Sequence, residues 1–431
     1  MKSSRIPGFY KMTIEERREF LKENNILSQD ELMTFSSNGE GSLPLEKADN
    51  MIENVVGTYP LPFGLGLNFL INEKEYIIPM VIEEPSVVAS ASFMAKIVRD
   101  AGGFNTEATD RVMIGQIQVV GCPDFEQAKA ELLQAKDELI QDANAAHPSL
   151  LARGGGAEDL EVRILNEDSD SEYGKMLALH LFINTCDAMG ANTINTMVEA
   201  LAPKVEQLTG GKVYLRILSN YADRCLAKAT CSIPVELLET KEFTGEEVRD
   251  GIVHAYEFAA SDPYRAVTHN KGIMNGIDPV VIATGNDWRA VEAAAHAHAA
   301  RYGKYGSMTT WSVADNGNLV GELELPMAVG TVGGSIRIHP VSKLALDLLD
   351  VESAQELAQV IVAVGLAQNL GALRALATEG IQRGHMALHS RSVAMAAGAT
   401  GEMIDVIANE LIETNEIRVG KAKELVDGYS K

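Results

Sequence analysis

Two adjacent acids stand where an apolar run ends and a helix is predicted to begin. They are Glu83 and Glu84, in the segment Val81-Ile-Glu-Glu-Pro-Ser-Val-Val-Ala89. Because they are neighbours in sequence, they should face different directions. A carboxylate held in an apolar wall has a raised pKa and can donate a proton near neutral pH. Acids at such a position are more commonly solvated and favoured by the helix dipole, so this segment alone leaves both interpretations open.

A second candidate segment, residues 262–275, brings together Arg265, His269, Lys271 and Asn275 beside a glycine. A short apolar run then leads to Thr284-Gly-Asn-Asp-Trp-Arg289. A lysine close to a buried aspartate, here Asp287, is a plausible device for stabilising a developing oxyanion. Taken singly, Lys271 is more often a surface lysine and Asp287 a turn residue.

A third segment, Asp187-Ala-Met-Gly-Ala-Asn192, follows an apolar strand and is predicted to open a helix. We expect Asp187 to cap that helix and Gly190 to allow close approach of a ligand. A strand-to-helix turn of this kind can hold a pyrophosphate on free backbone amides. Taken alone, the segment is better explained as an ordinary capped helix with small residues packing on the sheet. It is not a G-x-G-x-x-G fingerprint, so no Rossmann domain is implied.

Histidines near the C-terminus have a spacing that is also found in metal sites. His385 and His389 lie one helical turn apart, but no Glu stands between them as in H-E-x-x-H. His296 and His298, in an alanine-rich stretch, should point to different faces and act in packing or at the surface. The sequence therefore predicts no metal site, and a metal-dependent hydrolase using His385 and His389 is a weak alternative.

The elements between residues 111 and 220 follow a β-α-β-β-α-β order, which is the ferredoxin-like arrangement. Glycines punctuate the predicted turns. The periodicity predicts strands at Val112–Val120, Leu160–Leu165, Met176–Thr185 and Lys212–Leu218, and helices at Asp124–Ala145 and from Asp187 to about Leu208.

We predict an α+β fold built around that unit. Residues 1–110 and 221–379 form one large mixed α/β substrate domain, residues 111–220 are an inserted ferredoxin-like cofactor domain, and residues 380–431 form a helical C-terminal flap. Thr13 and Glu16 are typical of a capping box that opens a helix from Ile14 to Asn24. Gly398 and Gly401 should break the helical tail.

Composition limits the partners and the compartment. Polar residues interrupt the longest apolar stretch, Leu357–Ala377, so we expect a buried helix and no membrane span. A net charge of −23 disfavours nucleic acid and anionic lipid. Four cysteines without a C-x-x-C pair fit free thiols in a reducing compartment. No secretion signal is visible, and we expect a cytoplasmic protein.

Taken in order, these segments resemble the class II, mainly prokaryotic, form of 3-hydroxy-3-methylglutaryl-coenzyme A (HMG-CoA) reductase over nearly the whole chain. The resemblance includes Glu53-Asn-Val-Val-Gly57, the Glu-Glu-Pro-Ser segment, the His-Asn-Lys-Gly and Gly-Asn-Asp-Trp-Arg segments, Gly330-Thr-Val-Gly-Gly334 and the late Gly-His-Met. It implies NAD(P)H-dependent reduction of HMG-CoA to mevalonate and free CoA, or the reverse oxidation.

The resemblance also assigns residues. Glu84 is preferred over Glu83 because the family's catalytic acid stands directly before the two residues leading into Val-Val-Ala. It implies a catalytic quartet of Glu84, Lys271, Asp287 and His385, an HMG site with Ser86, Arg265 and Asn275, a CoA site with Glu53, Asn54 and Gly57, and cofactor contacts from Asp187, Met189, Gly190 and Asn192.

Cofactor choice and assembly are further expectations. NAD-preferring members place an aspartate before the triple glycine, where this chain has His147, so NADPH is slightly favoured over NADH. Family members are dimers with a shared active site, and higher assembly is open. A non-catalytic CoA- or nucleotide-binding protein on the same scaffold is the main alternative.

Overall fold

The computed structural model of the chain describes residues 3–35, 43–168, 171, 173–378, 380–414 and 416–429, without the side chains of residues 335 and 381–388. The strands in these ranges are β1 (Phe63–Ile71), β2 (Lys74–Val81), β3 (Asn105–Ala108), β4 (Val112–Val120), β5 (Gly156–Leu165), β6 (Met176–Asn184), β7 (Lys212–Ser219), β8 (Leu226–Ile233), β9 (Thr309–Val313) and β10 (Leu319–Pro326). The helices are α1 (Ile14–Glu23), α2 (Gln29–Met33), α3 (Leu45–Asp49), α4 (Val87–Asp100), α5 (Phe125–Gln134), α6 (Lys136–Ala146), α7 (Pro148–Leu151), α8 (Ala191–Thr209), α9 (Gly245–Ser261), α10 (Pro263–Ala283), α11 (Trp288–Ala299), α12 (Pro340–Leu349), α13 (Ala354–Ala377), α14 (Ile381–Ala396), α15 (Met403–Glu413) and α16 (Val419–Tyr429).

Four strands in the middle of the chain form one antiparallel sheet in the order β5-β6-β4-β7. This is the strand order of the ferredoxin-like arrangement. The predicted helix at Asp124–Ala145 is wrong in one respect, because the chain bends at Ala135 and forms α5 and α6. Leu132 and Leu139 are both fully buried in the core of this unit, so the bend lets both helices pack on it.

A second four-stranded sheet, in the order β3-β8-β10-β9, packs on α13, and the β1-β2 hairpin packs on α4 and α10. The prediction of a buried helix at Leu357–Ala377 is confirmed, since 72% of the most apolar window of α13 is buried. Gly365 shows how tight the packing is, because a Cβ there would lie 2.8 Å from Ile277 on α10. Such contact fixes α10 rigidly against the core.

The chain beyond residue 380 is helical, and α14, α15 and α16 share a small apolar cluster of their own. The predicted break between α14 and α15 is confirmed at Gly398 and Gly401, which both have positive φ, a conformation that glycine adopts without strain. The predicted capping box of Thr13 and Glu16 is present at the start of α1. The four cysteines are free thiols, as expected. The α+β fold class is confirmed.

Candidate active site

The turn between β2 and α4 presents the two adjacent acids. Ser86 precedes α4 with φ of 75°, a left-handed conformation that is strained for a serine and is often found at functional sites. Its hydroxyl is buried without a hydrogen-bond partner in the described part of the chain. A buried hydroxyl of this kind is disfavoured unless a ligand or water satisfies it. The turn therefore has the features of a ligand contact.

Helix α10 carries most of the polar residues of the second candidate segment. Asp262 caps the helix by accepting the Arg265 N–H at 3.2 Å, and Pro263 occupies its first position, where a missing N–H has no consequence. Lys271 and Asn275 are one turn apart and so share a face. Pro279, one turn later, has no N–H to donate to the Asn275 carbonyl, which lacks the usual helical bond.

Lys271 and Glu84 are brought into contact although 187 positions separate them. The Lys271 Nζ donates to Glu84 Oε2 at 2.8 Å. Their side chains are 60% and 38% exposed, respectively, so Glu84 does not lie in a closed apolar wall of this chain. An ion pair this exposed contributes little to stability. Its position beside Ser86 suits it better to binding or catalysis.

Asp287 is the N-cap of α11. Its Oδ1 accepts the backbone N–H groups of Arg289 at 3.1 Å and Ala290 at 3.2 Å, and it also contacts Arg289 Nε at 3.4 Å. The other oxygen, Oδ2, has no hydrogen-bond partner among the described residues, and the carboxylate's only ion pair there is with Arg289. Contact between Asp287 and Lys271 stays a prediction.

A buried polar network supports α10 beneath Lys271. His269 Nε2 lies 2.8 Å from Thr309 Oγ1 and 2.9 Å from Ser307 Oγ, and Asn369 on α13 joins the same network. Burial, aided by the nearby Arg265 charge, lowers the pKa of His269 to about 4. The imidazole is therefore neutral at physiological pH and acts here as a structural group that ties α10 to β9 and α13.

Two carboxyls share the space between α10 and α11. Burial and the neighbouring Glu292 raise the pKa of Asp278, while a hydrogen bond to His296 lowers the pKa of Glu292. His296 bridges Glu292 and Tyr305 at 2.7 Å to each, whereas His298 is buried. The expectation that these histidines act in packing agrees with these contacts.

The 187–192 turn differs from the prediction in one respect. Asp187 does not cap α8, which begins at Ala191 with Gly190 as its N-cap. The Asp187 carboxylate instead accepts the backbone N–H of Ala354 at 2.9 Å, at the start of α13. Gly190 has φ of 88°, and a Cβ there would lie 2.4 Å from Thr185 Cγ2. Only glycine fits, and the first-turn amides of α8 remain available to an anion.

The remaining predicted histidines occupy distinct places. His147 Nε2 lies 3.3 Å from Thr193 Oγ1, in the first turn of α8. His389 is exposed on α14, and the side chain of His385 lies outside the described residues. Within the described ranges, no group of three or more His, Cys, Asp or Glu side chains is arranged to hold a metal ion.

Comparison with known families shows which family the chain belongs to. The hydroxymethylglutaryl-coenzyme A reductase family model matches residues 13–390. The chain belongs to this family. It is an HMG-CoA reductase-type enzyme, an oxidoreductase, as the resemblance implied.

Individual relatives agree with this assignment. The chain is 52% identical to the 3-hydroxy-3-methylglutaryl-coenzyme A reductase of Archaeoglobus fulgidus over 99% of this chain and 94% of that protein. It is 36% identical to a probable reductase of Borreliella burgdorferi over 80% and 77%. The solved Streptococcus pneumoniae reductase matches with a TM-score of 0.83 at 43% identity, covering 98% and 99%. A class II structure from the same organism, bound to NADPH in open conformations, matches with a TM-score of 0.82 at 44% identity, covering 86% and 99%.

The HMG-CoA reductase fold brings some predicted residues together and leaves others apart in the single chain. Glu84 and Lys271 meet, and Ser86 follows Glu84 by two positions in the same turn, whereas Glu53, Asn54 and Gly57 lie on an exposed segment. Sequence reasoning missed the His269 network and the side-chain contacts of Asn286, which precedes Asp287. The segment Thr284-Gly-Asn-Asp-Trp-Arg289 carried a signal for the latter, because an Asn in a helix-to-helix turn commonly bonds to backbone.

Proposed function

We propose that this HMG-CoA reductase-type enzyme reduces HMG-CoA to mevalonate and free CoA with two equivalents of NADPH and two protons. The observation that carries the proposal is the Lys271 Nζ to Glu84 Oε2 contact at 2.8 Å, beside the unpartnered hydroxyl of Ser86. A cation from the middle of α10, paired with a carboxylate in the turn after β2, can stabilise an oxyanion and deliver a proton to it.

Each member of the proposed catalytic quartet has a separate task. Lys271 donates to the thioester carbonyl oxygen as negative charge develops, and Asp287 holds and tunes that amine from the start of α11. Glu84 supplies a proton to the same oxygen when the aldehyde is reduced. His385 protonates the departing CoA thiolate, a task suited to a group that ordinarily titrates near pH 7.

The HMG and CoA portions are assigned to different surfaces. Arg265, on α10, is suited to grip the free carboxylate through two parallel hydrogen bonds. Ser86 and Asn275 complete this contact. Glu53, Asn54 and Gly57 are assigned to the CoA site. The exposure of this segment supports a shared site, since Tyr59 is 88% exposed and Val56 fully so. We therefore propose a homodimer whose active site forms between subunits.

The cofactor is assigned to the turn from Asp187 to Asn192, with Met189 and Gly190 at its centre. Its fit rests on the first-turn amides of α8, which no side chain caps, and on the positive φ of Gly190, which turns the chain into that helix. The nicotinamide supplies hydride when bound. His147 contacts Thr193 in the first turn of α8, which suits it to bind a ribose or a 2′-phosphate of the cofactor. NADPH, which the Streptococcus pneumoniae structure holds, is proposed as the preferred cofactor, with no metal and a cytoplasmic location.

The decisive experiment follows nicotinamide absorbance in metal-free buffer on adding HMG-CoA. We expect HMG-CoA-dependent oxidation of NADPH, with mevalonate and CoA thiol formed in a ratio of one to one. Binding of CoA without oxidation would instead indicate a non-catalytic CoA-binding protein. Thioester hydrolysis that a chelator abolishes would favour the hydrolase that uses His385 and His389.

The same assay tests the cofactor preference. Replacing His147 with Asp should raise the KM for NADPH about tenfold and leave the KM for NADH unchanged or lower, because a carboxylate repels a 2′-phosphate and accepts a ribose hydroxyl. Ser149→Ala is the matched control, because Ser149 contacts His147 from the side away from α8. An unchanged ratio of the two KM values would contradict the assignment of His147.

A further inference from the structure

The Asn286 side chain connects the start of α11 to the loop at Gly330. This loop lies against residues 187–192, the proposed cofactor turn. Asn286, directly before Asp287, exchanges two hydrogen bonds with Gly330. The Gly330 N–H donates to Asn286 Oδ1 at 2.7 Å, and Asn286 Nδ2 donates to the Gly330 carbonyl at 3.1 Å. The same Nδ2 reaches Thr284 Oγ1 at 3.1 Å, which fixes the amide orientation.

The loop at Gly330 packs directly on the backbone of the cofactor turn. A Cβ on Gly330 would be 2.7 Å from the Met189 nitrogen and 2.8 Å from the Asp187 carbonyl oxygen. Thr331 N–H donates to that same carbonyl at 2.9 Å, and Ala188 pairs with Val332 as a parallel bridge. Backbone atoms therefore touch directly, with no side chain between the loop and the turn.

A buried cation also holds this loop. Arg111 is only 4% exposed, and its Nη2 donates to the Val329 carbonyl at 2.6 Å. The Arg111 carbonyl accepts the Thr185 N–H at 3.0 Å, just before the cofactor turn. Arg111 thus ties the loop to the ferredoxin-like unit, while Asn286 ties it to the helix that begins with Asp287. The Arg111 connection positions the loop relative to the ferredoxin-like unit, and the Asn286 connection positions it relative to α11.

We propose that Asn286 is a positioning residue that sets the distance between the cofactor turn and the Asp287 end of the site. The proposal rests on the function proposed above, since it assigns Asn286 to the alignment of the hydride donor with the reacting carbon. A side-chain amide carries its donor and its acceptor on separate atoms, so it can bond to the N–H and the carbonyl of the same residue at once. A small misplacement of reacting groups lowers the turnover rate strongly while leaving binding of each ligand nearly intact.

The test compares Asn286→Asp with the wild type in the full-length enzyme. Asp keeps the acceptor for the Gly330 N–H but places a carboxylate oxygen against the Gly330 carbonyl. We expect kcat to fall about 10²-fold, while the KM for HMG-CoA and the NADPH dissociation constant from nicotinamide fluorescence change by less than about threefold. The isotope effect with nicotinamide deuterated at the transferred position should rise, because hydride transfer becomes rate-limiting.

Two further variants keep the outcome interpretable. Gly330→Ala acts from the other end of the contact and should weaken NADPH binding directly, because its Cβ would press on Met189. Asn318→Asp is the matched control, since Asn318 is only partly buried and its side-chain amide donates to Ser232 Oγ, on β8. Normal kcat and isotope effect in Asn286→Asp, with an active wild type, would overturn the positioning role. An inactive wild type would instead contradict the proposed function itself.

Discussion

Replacing Lys271 with Ala is expected to abolish reduction of both HMG-CoA and added mevaldehyde. Both hydride steps build negative charge on the same oxygen, and Lys271 is the cation proposed to meet it. Loss of one preorganised donor to an oxyanion typically lowers kcat by about 10²–10³-fold. Because the Lys271 side chain is 60% exposed and its ion pair with Glu84 contributes little to stability, the variant should fold normally.

Two further variants make this test specific. Steady-state rates with each substrate are compared with those of Lys96→Met, which removes a lysine from the exposed face of α4 and should have no effect. Lys271→Arg keeps the charge but changes the geometry, so partial activity there would separate charge from position. Turnover retained by Lys271→Ala with either substrate would contradict the oxyanion assignment.

The fold was predictable where local pattern and tertiary structure agree. The periodicity between residues 111 and 220 predicted the order of strands and helices along the chain correctly, because alternation along β4 matches its buried and open faces. Periodicity does not reveal a bend such as that at Ala135, where no Gly or Pro marks it. The bend depends on where Leu132 and Leu139 meet the core.

Residues for the candidate site could be proposed from the sequence, but their hydrogen bonds could not. A capping role for Asp187 followed from its position before a helix, yet the carboxylate bonds to Ala354, which is 167 positions away. Local rules favour the nearest helix, whereas the folded chain offers a second helix N-terminus at α13. The Asn286 contact with Gly330 spans 44 positions and has the same origin. Such long-range contacts depend on packing that a single sequence does not specify.

The exposure of the site in one chain has a consequence for mechanism. Glu84, Lys271 and Asp287 are between 38% and 60% exposed, and charges in water are strongly screened. An oxyanion is stabilised best where water is excluded. The proposed partner subunit and the C-terminal helices α14–α16 are the two parts of the assembly that would enclose these groups. Closure of the C-terminal helices over Glu84, Lys271 and Asp287 would then also bring His385, on α14, into the proposed catalytic quartet.

Replacing His385 with Gln separates the two reductions. The proposed role of His385 is to protonate the CoA thiolate, a step that occurs only when the thioester is the substrate. We expect HMG-CoA reduction to fall by about 10²–10⁴-fold, the range for loss of a general acid. Reduction of added mevaldehyde should stay within about twofold of the wild type, since no thiolate leaves in that reaction.

The neighbouring histidine supplies the control for this pattern. His389 is exposed one turn along α14, and His389→Gln should leave both reactions unchanged. If both histidines were metal ligands, the two variants would instead lose activity together. Equal loss of thioester and aldehyde reduction in His385→Gln would mean that the residue serves the hydride steps or the closed conformation. Loss of HMG-CoA reduction alone in His385→Gln, combined with loss of both activities in Lys271→Ala, would assign His385 to the thioester sulfur and Lys271 to the carbonyl oxygen. The two atoms would then lie at different ends of the site.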